Sequence, residues 1–179
     1  INIDDGWQAL RGGKHKGVMP NSKFPDMKGL ADEIHGMGLK IGIYSGPWVG
    51  TYAGHLGSYS DNQDGSYDWV ENYANEHYRY VDATKQTKHG DNYHHGKYSF
   101  VKNDVNQWMD WGMDYLKYDW NPNDVYHVKE MRDALRSHSR DVVYSLSNSA
   151  PWGDAAQWEK MANCWRTTGD IKDTWESMS

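Results

Sequence analysis

Asp119 and Asp170 are the residues with the most chemistry to offer. Asp119 closes the stretch "MDYLKYDWN" (113–121), in which a short apolar strand runs out on Lys117 and Asp119. A strand end inside a parallel sheet does not carry a lysine and a carboxylate without a use for them, because unpaired charges are costly away from water. Lys117 stands two residues before Asp119 and so points to the same side of the strand. There its positive charge favours the ionised form of the carboxylate. Two carboxyls flanking one bond are what glycoside hydrolysis needs: one attacks or activates water, and the other protonates the leaving oxygen. A depressed pKa suits the attacking group, which points to Asp119, and a carboxyl without such a cationic partner suits the acid, which points to Asp170. Each has a plainer reading as well. Asp119 could cap the following turn, and "DIKD" reads as an N-terminal cap opening a helix over "IKDTWESM".

The elements that would position these groups alternate along the chain. "INID" reads as a strand, followed by a Gly-rich, basic loop, "RGGKHKG". Behind "FPD", Met27, Leu30, Ala31, Ile34 and Met37 fall at helical spacing, and Gly36 and Gly38 mark the stop. "LKIGIYS" follows as a strand. Val101, Val105 and Trp108 give a helical stripe, "MDYLKYD" a third strand, and Val125, Val128, Met131 and Leu135 a helix that "NPND" can cap. "DVVYSLS", "DAAQWEKMA" and "NCWRTT" supply strand, helix and strand. This alternation implies α/β architecture with right-handed crossovers and a parallel sheet.

Asp4 and Asp5, Tyr44, Lys117 and Asp119, Ser147, Arg166 and Asp170 all fall at or just past a strand's C-terminal end. Polar residues spread over several strand ends favour a (β/α)8 barrel over an open sheet, which gathers its ligand contacts at one switch point. No GxGxxG or P-loop pattern occurs. With 179 residues, against roughly 250 in a complete barrel, the barrel is expected to be partial. Residues 46–100 interrupt the rhythm as a long insertion rich in Gly, Tyr, His and Asp, with "YDWVENYANEHY" read as a helix inside it. It follows a strand's C-terminal end, so it is expected to lie over the site.

Composition narrows the partners. A net charge of -6 and no basic run argue against nucleic acid. No stretch of apolar residues is long enough to span a membrane as a helix. Ile, Leu, Val and Phe number only 25, and 10 Trp and 13 Tyr supply the missing apolar area. Such aromatics also suit surfaces that stack on sugar rings. The single cysteine, Cys164, excludes internal disulfides and reads as a buried structural thiol.

Four ordered stretches, "NIDDGWQ", "FPDMKGLADEIHGMGLKIGIYS", "WGMDYLKYDW" and "CWRTTGDI", resemble glycoside hydrolase family twenty-seven, which holds α-galactosidases and α-N-acetylgalactosaminidases. The likeness covers about residues 1–45 and 101–178. It implies a partial (β/α)8 (TIM) barrel, about strands two to six, with 1–179 forming part of a single catalytic domain. It also implies a retaining, exo-acting α-glycosidase that releases terminal α-D-galactosyl residues through a covalent glycosyl-enzyme. By the resemblance, Asp119 of "LKYD" is the nucleophile and Asp170 the general acid/base. Asp4 and Asp5 hold the sugar's 4- and 6-hydroxyls, Tyr44 and Lys117 line the pocket, and Arg166 reaches the 2-position. Where eukaryotic members commonly carry a cysteine just after the nucleophile, this chain has Trp120 and Asn121, which suggests a bacterial-type branch. Ser147 and Ala150 would occupy the segment facing the 2-substituent, a small pair that leaves room for an acetamide. The family's other activities include N-acetylgalactosaminidase, isomalto-dextranase and β-L-arabinopyranosidase. The resemblance also implies a carbohydrate substrate and a periplasmic or secreted setting; no metal or organic cofactor is expected, because carboxyls fill both catalytic roles.

Three other readings remain. "KHGDNYHHGK", with His89, Asp91, His94 and His95, has residue types that suit Zn²⁺ or Ni²⁺, but the spacing is unspecific and a solvated loop is the plainer account. A non-catalytic sugar-binding module would need the hydroxyl-reading groups and aromatics without two opposed carboxylates. A phosphate-binding barrel enzyme would want a late Gly-rich loop.

Overall fold

A computed structural model describes residues 1–67, 70–72, 78–80 and 92–178, the two short stretches by backbone alone. Its central sheet is parallel. The chain enters beside β3 (Gly42–Ser45), where Asn2 pairs in parallel with Gly42. The sheet continues through β8 (Tyr115–Tyr118) and β9 (Val143–Leu146) to β10 (Cys164–Trp165). A helix lies on each crossover: α1 (Met27–Gly36), α2 (Val101–Trp111), α3 (Val125–Arg136) and α4 (Ala155–Met161). The strands therefore lie in chain order with no reversal. A doubly wound sheet reverses its order at a switch point, whereas uninterrupted sequential order is the winding that curls toward a barrel. Among the described residues the sheet is open.

The helices form where one face can be buried. Met27, Ala31 and Ile34 of α1, Val101, Val105 and Trp108 of α2, and Val128, Met131 and Leu135 of α3 are all buried. They pack in one cluster with Ile41, Ile43, Leu116, Tyr118 and Leu146 of the strands. Each such side chain contributes roughly 1.5–3 kcal/mol. Met37 falls outside the stripe: it is the C-cap of α1 and is exposed, because the helix has already ended at Gly36. Asp26 caps α1 by accepting from the Gly29 N–H at 2.8 Å, and Asp124 caps α3 by accepting from the His127 N–H at 3.0 Å. Gly112, at φ 88°, closes α2 in the left-handed region.

Two buried carboxylates tie these layers together. Asp114, just ahead of β8, accepts from Arg140 Nη2 at 2.7 Å and the Ile41 N–H at 3.1 Å, and His35 Nε2 lies 2.7 Å away. Burial raises its pKa, but these three partners together hold it at about 2. Asp104 of α2 is fully buried and bound by Arg11, with Nη2 3.2 Å from Oδ2, and accepts from the Val18 N–H at 2.9 Å.

Several expectations need correction. "INID" makes only the bridge at Asn2, because its polar residues turn away into the site. "RGGKHKG" is not simply a loop: β1 (Gln8–Gly12) and β2 (Gly17–Pro20) form an antiparallel hairpin, and only 13–16 turn, with positive φ at Gly13 and Lys16. The helix read over "YDWVENYANEHY" is contradicted where the chain is described, since β5 (Val70–Asn72) pairs antiparallel with β6 (Tyr78–Tyr80). Elsewhere in the insertion, β4 (Tyr59–Ser60) pairs with β7 (Tyr98–Ser99). Val49, Leu56 and Tyr59 join the core, so this part of the insertion is packed structure. No helix opens at Asp170: after a bend, α5 (Trp175–Met178) is a single turn. Cys164 is exposed, because β10 is the last strand of the sheet.

Candidate active site

Backbone register brings the candidate residues to one end of the sheet. Tyr44 lies beside Lys117, and Lys117 beside Ser145. One row further on, the ladder continues past the strand ends. Asp119 N donates to Ser45 O at 2.9 Å, Ser147 N to Tyr118 O at 3.2 Å, and Arg166 N to Leu146 O at 3.3 Å. The side chains of Asp119, Ser147 and Arg166 thus start from adjoining points on one rim.

They line a cleft of about 580 Å³ together with Asp4, Asp5, Tyr44, Lys117 and Asp170. Every site residue read from the sequence is there except Ala150, which packs partly buried against the core. Asn148 and Ser149 line the cleft instead. Of the expected small pair, only Ser147 lines the cleft.

The polar groups are tightly arranged. Tyr44 donates its hydroxyl to Asp119 Oδ2 at 3.2 Å, while Trp7 Nε1 holds the Tyr44 carbonyl at 2.9 Å. Lys117 reaches Asp4, with Nζ 2.9 Å from Oδ2, and its ammonium lies 5.1 Å from the centre of the Tyr44 ring. Asp5 accepts from Thr51 Oγ1 at 2.8 Å and from the Ala53 N–H at 2.7 Å, which fastens the start of the insertion to the rim. Arg166 Nη1 lies 2.6 Å from Asp170 Oδ1, and its Nη2 donates to the Gly169 carbonyl at 2.8 Å. Gly46 is required by closeness: a Cβ there would stand 2.4 Å from the Asp119 carbonyl.

The carboxylates differ in environment, and not in the expected sense. Burial pushes the Asp119 pKa up. The Ser147 hydroxyl, the Lys117 charge and the Tyr44 hydroxyl pull it down without overcoming that rise, and Asp4 adds to it. Lys117 does favour the ionised form, but its direct partner is Asp4. Asp170, expected to lack a cationic partner, has one in Arg166, which lowers its pKa. Its side chain is 83 % exposed, so little burial opposes that pairing.

The sequence did not single out Tyr52 or Ala53, which also line the cleft, and it marked Asn121 only as a departure from the family pattern and not as a lining residue. Tyr52 feels both carboxylates: burial first, then Asp119, Tyr93 and Asp170, push its hydroxyl to about 12. Its ring stands edge-on to Trp48 at 5.4 Å, and Trp48 stacks on Tyr93 at 4.8 Å. The abundance of aromatics in the insertion was the available signal. Of the four loop residues with metal-ligand types, His89 and Asp91 lie outside the described residues. His94 faces Asp61 at 2.8 Å, and His95 meets Asp124 and His127 away from the cleft lining.

A parallel α/β chain whose acidic cleft opens at the carboxyl ends of its strands belongs to a wide class of enzyme scaffolds. Comparison with known proteins narrows it. The family model Melibiase_2, alpha galactosidase A, matches residues 1–94 and 78–179. The chain is 34% identical over 188 residues to alpha-galactosidase 3 of Arabidopsis thaliana, covering all of this chain and 33% of that protein. It is 33% identical over 186 residues to alpha-galactosidase A of Cellvibrio japonicus, covering 98% of this chain and 35% of that one. Among solved structures it resembles alpha-galactosidase I from Mortierella vinacea, with a TM-score of 0.65 and 26% identity over 97% of this chain and 36% of that chain. The chain belongs to the alpha galactosidase A family, glycoside hydrolase family twenty-seven, and spans about a third of the length of these relatives.

Proposed function

We propose that these residues are part of a single (β/α)8 catalytic domain, about strands two to six, of a retaining, exo-acting α-glycosidase that releases terminal α-D-galactosyl residues. The observation that carries the reading is the meeting of Asp119, Tyr44, Lys117, Arg166 and Asp170 in one cleft at the strand ends. In the first step an Asp119 oxygen bonds to the anomeric carbon as the glycosidic C–O bond breaks, and Asp170 gives its proton to the departing oxygen. In the second, Asp170 takes a proton from water. That water's oxygen attacks the anomeric carbon and frees Asp119.

The surroundings fit these roles. Asp119 follows directly on the central strand β8, and the donors around it oppose the protonation that burial favours. Asp170 lies five residues past β10 and is exposed until a substrate covers it. A sugar whose 2-hydroxyl engages Arg166 draws that cation from Asp170, which lets the carboxyl regain a proton as it loses water. Asp4 and Asp5, each already oriented by a partner, keep acceptor capacity for the 4- and 6-hydroxyls. With four carboxylates against two cations, the cleft suits a neutral polyol and disfavours a phosphorylated one.

The test is hydrolysis by the full-length protein of nitrophenyl α-galactoside against the 2-acetamido counterpart, with NMR of the first-formed anomer. Asp119→Ala and Asp170→Ala should each lower kcat/KM by at least about a thousandfold, and the α-anomer should form first. Full activity in Asp119→Ala, or release of the β-anomer first, overturns the assignment.

A further inference from the structure

Outside the cleft, three metal-ligand side chains meet where the insertion touches the turn between β8 and α3. His95 comes from the insertion; Asp124 and His127 open α3. Asp124 Oδ2 lies 2.8 Å from His127 Nδ1 and 4.0 Å from His95 Nε2. One ligand atom from each of the three residues falls within 4.8 Å of the other two. A tetrahedral ion with bonds of about 2.0–2.2 Å wants its ligands roughly 3.4 Å apart, and the separations of 2.8 and 4.0 Å bracket that value.

The group is also prepared from outside. Trp120 Nε1 donates to Asp124 Oδ2 at 3.2 Å, and the His127 N–H to Asp124 Oδ1 at 3.0 Å, so the carboxylate is oriented before anything binds. Glu130, one turn further along α3, accepts from Ser99 Oγ at 2.6 Å and from Tyr59. These bonds hold a second carboxylate on the same face of the contact between the insertion and α3. His95 Nδ1 and His127 Nε2 face each other at 2.8 Å, a contact that needs a proton between them. All three residues are partly buried: His127 is 12 % exposed, His95 29 % and Asp124 38 %. They are shielded enough to bind and open enough to be reached.

We propose that His95, Asp124 and His127 form a binding site for one divalent first-row transition ion, Zn²⁺ or Ni²⁺, that clasps the insertion to the start of α3. Two imidazoles with one carboxylate suit these ions rather than Ca²⁺ or Mg²⁺, which require oxygen ligands. Asp124 lies five residues after Asp119, so the clasp braces the same turn that carries the cleft residue Asn121. The ion's part is structural.

The test uses the full-length protein stripped with a chelator and titrated calorimetrically with ZnCl₂ and separately NiCl₂. One ion per chain should bind, and the melting temperature should rise with metal concentration. His95→Ala should remove both effects while still melting cooperatively without metal; His15→Ala, remote from the site, should keep both. Stoichiometric binding that survives in His95→Ala or in His127→Ala overturns the proposal. So does a wild-type protein that takes up less than one ion per ten chains. X-ray absorption of the zinc-loaded wild type provides a reading that depends on no variant. A first shell of nitrogen and oxygen with two imidazoles is expected, and a shell without imidazole rejects the site.

Discussion

Asp119 illustrates how far a residue's chemistry depends on what the fold puts around it. Its carboxyl is more easily protonated in the folded chain than in water because burial outweighs three favourable neighbours. The folded state then holds more protons than the unfolded state just above the ordinary carboxylate pKa. Stability from this group therefore falls as pH rises from that value through the folded pKa, and at neutral pH the full cost remains. Asp119→Asn should remove that cost, raising the melting temperature at pH 7 by roughly 2 °C while abolishing hydrolysis of nitrophenyl α-galactoside. A melt and an assay on one preparation check both; a lower melting temperature rejects the burial argument. Arg166 has the opposite influence on Asp170, holding its pKa down. Arg166→Met should move the basic limb of the kcat/KM pH profile upward on a lower maximum, because the general acid then keeps its proton to higher pH. An unmoved limb means that another group sets it. Both carboxylates were legible in the sequence, since charged residues at the ends of apolar strands stand out. Their relative acidity was not: Lys117 is visible two residues from Asp119, whereas burial and the turn of Arg166 toward Asp170 are properties of the assembled rim.

The elements legible in the sequence are those with one wet and one dry face. α1, α2 and α3 announce themselves through apolar spacing and their caps, and β3, β8 and β9 through short apolar runs. The β1–β2 hairpin was hidden because its stability is bound up with a charge pair whose members lie 93 residues apart. Arg11 brings β1 to Asp104 on α2, and no periodicity marks such a partnership. Asp104→Asn should cost about 3–5 kcal/mol, since it leaves the Arg11 guanidinium buried without its counter-charge. Urea unfolding checks it, and a loss below about 1 kcal/mol would mean that water reaches the pair. Asp114 joins the starts of β3 and β8 to α1 and adds a pH signature. Its pKa of about 2 in the folded chain lies below the ordinary carboxylate range. The stability it contributes is complete above the unfolded value and is lost as pH falls from about 4 to about 2. In Asp114→Asn, the fall in melting temperature over that window should be shallower than in the wild type. The 67–78 stretch misled for a related reason: β5 and β6 stabilise each other by pairing, and cross-strand partners are not written into either strand alone.

At the scale of the whole molecule, sequential strand order decides what the open sheet does. Among the described residues, the row that begins at Asn2 and ends at β10 has an unpaired strand edge at each side, and free edges are templates for pairing with another chain. Near the β10 side Trp152, Ile171, Trp175 and Met178 are exposed, so apolar surface accompanies the unpaired backbone. The family resemblance implied a partial barrel and the described sheet is open, but which side chains crowd its flank depends on how the chain turns after β10. A polypeptide of these 179 residues on its own should therefore self-associate in light scattering at tens of micromolar. The edge and the apolar flank can be told apart. Cys164→Lys places a charge on the exposed edge strand and should shift the population toward monomer, since edge lysines oppose strand pairing. Trp175→Ser, off the sheet, should do less. A reducing agent should change nothing, because the association rests on backbone and apolar surface and not on the Cys164 thiol. A wild-type fragment that remains monomeric under these conditions would mean that the edges are already protected by the twist of the sheet.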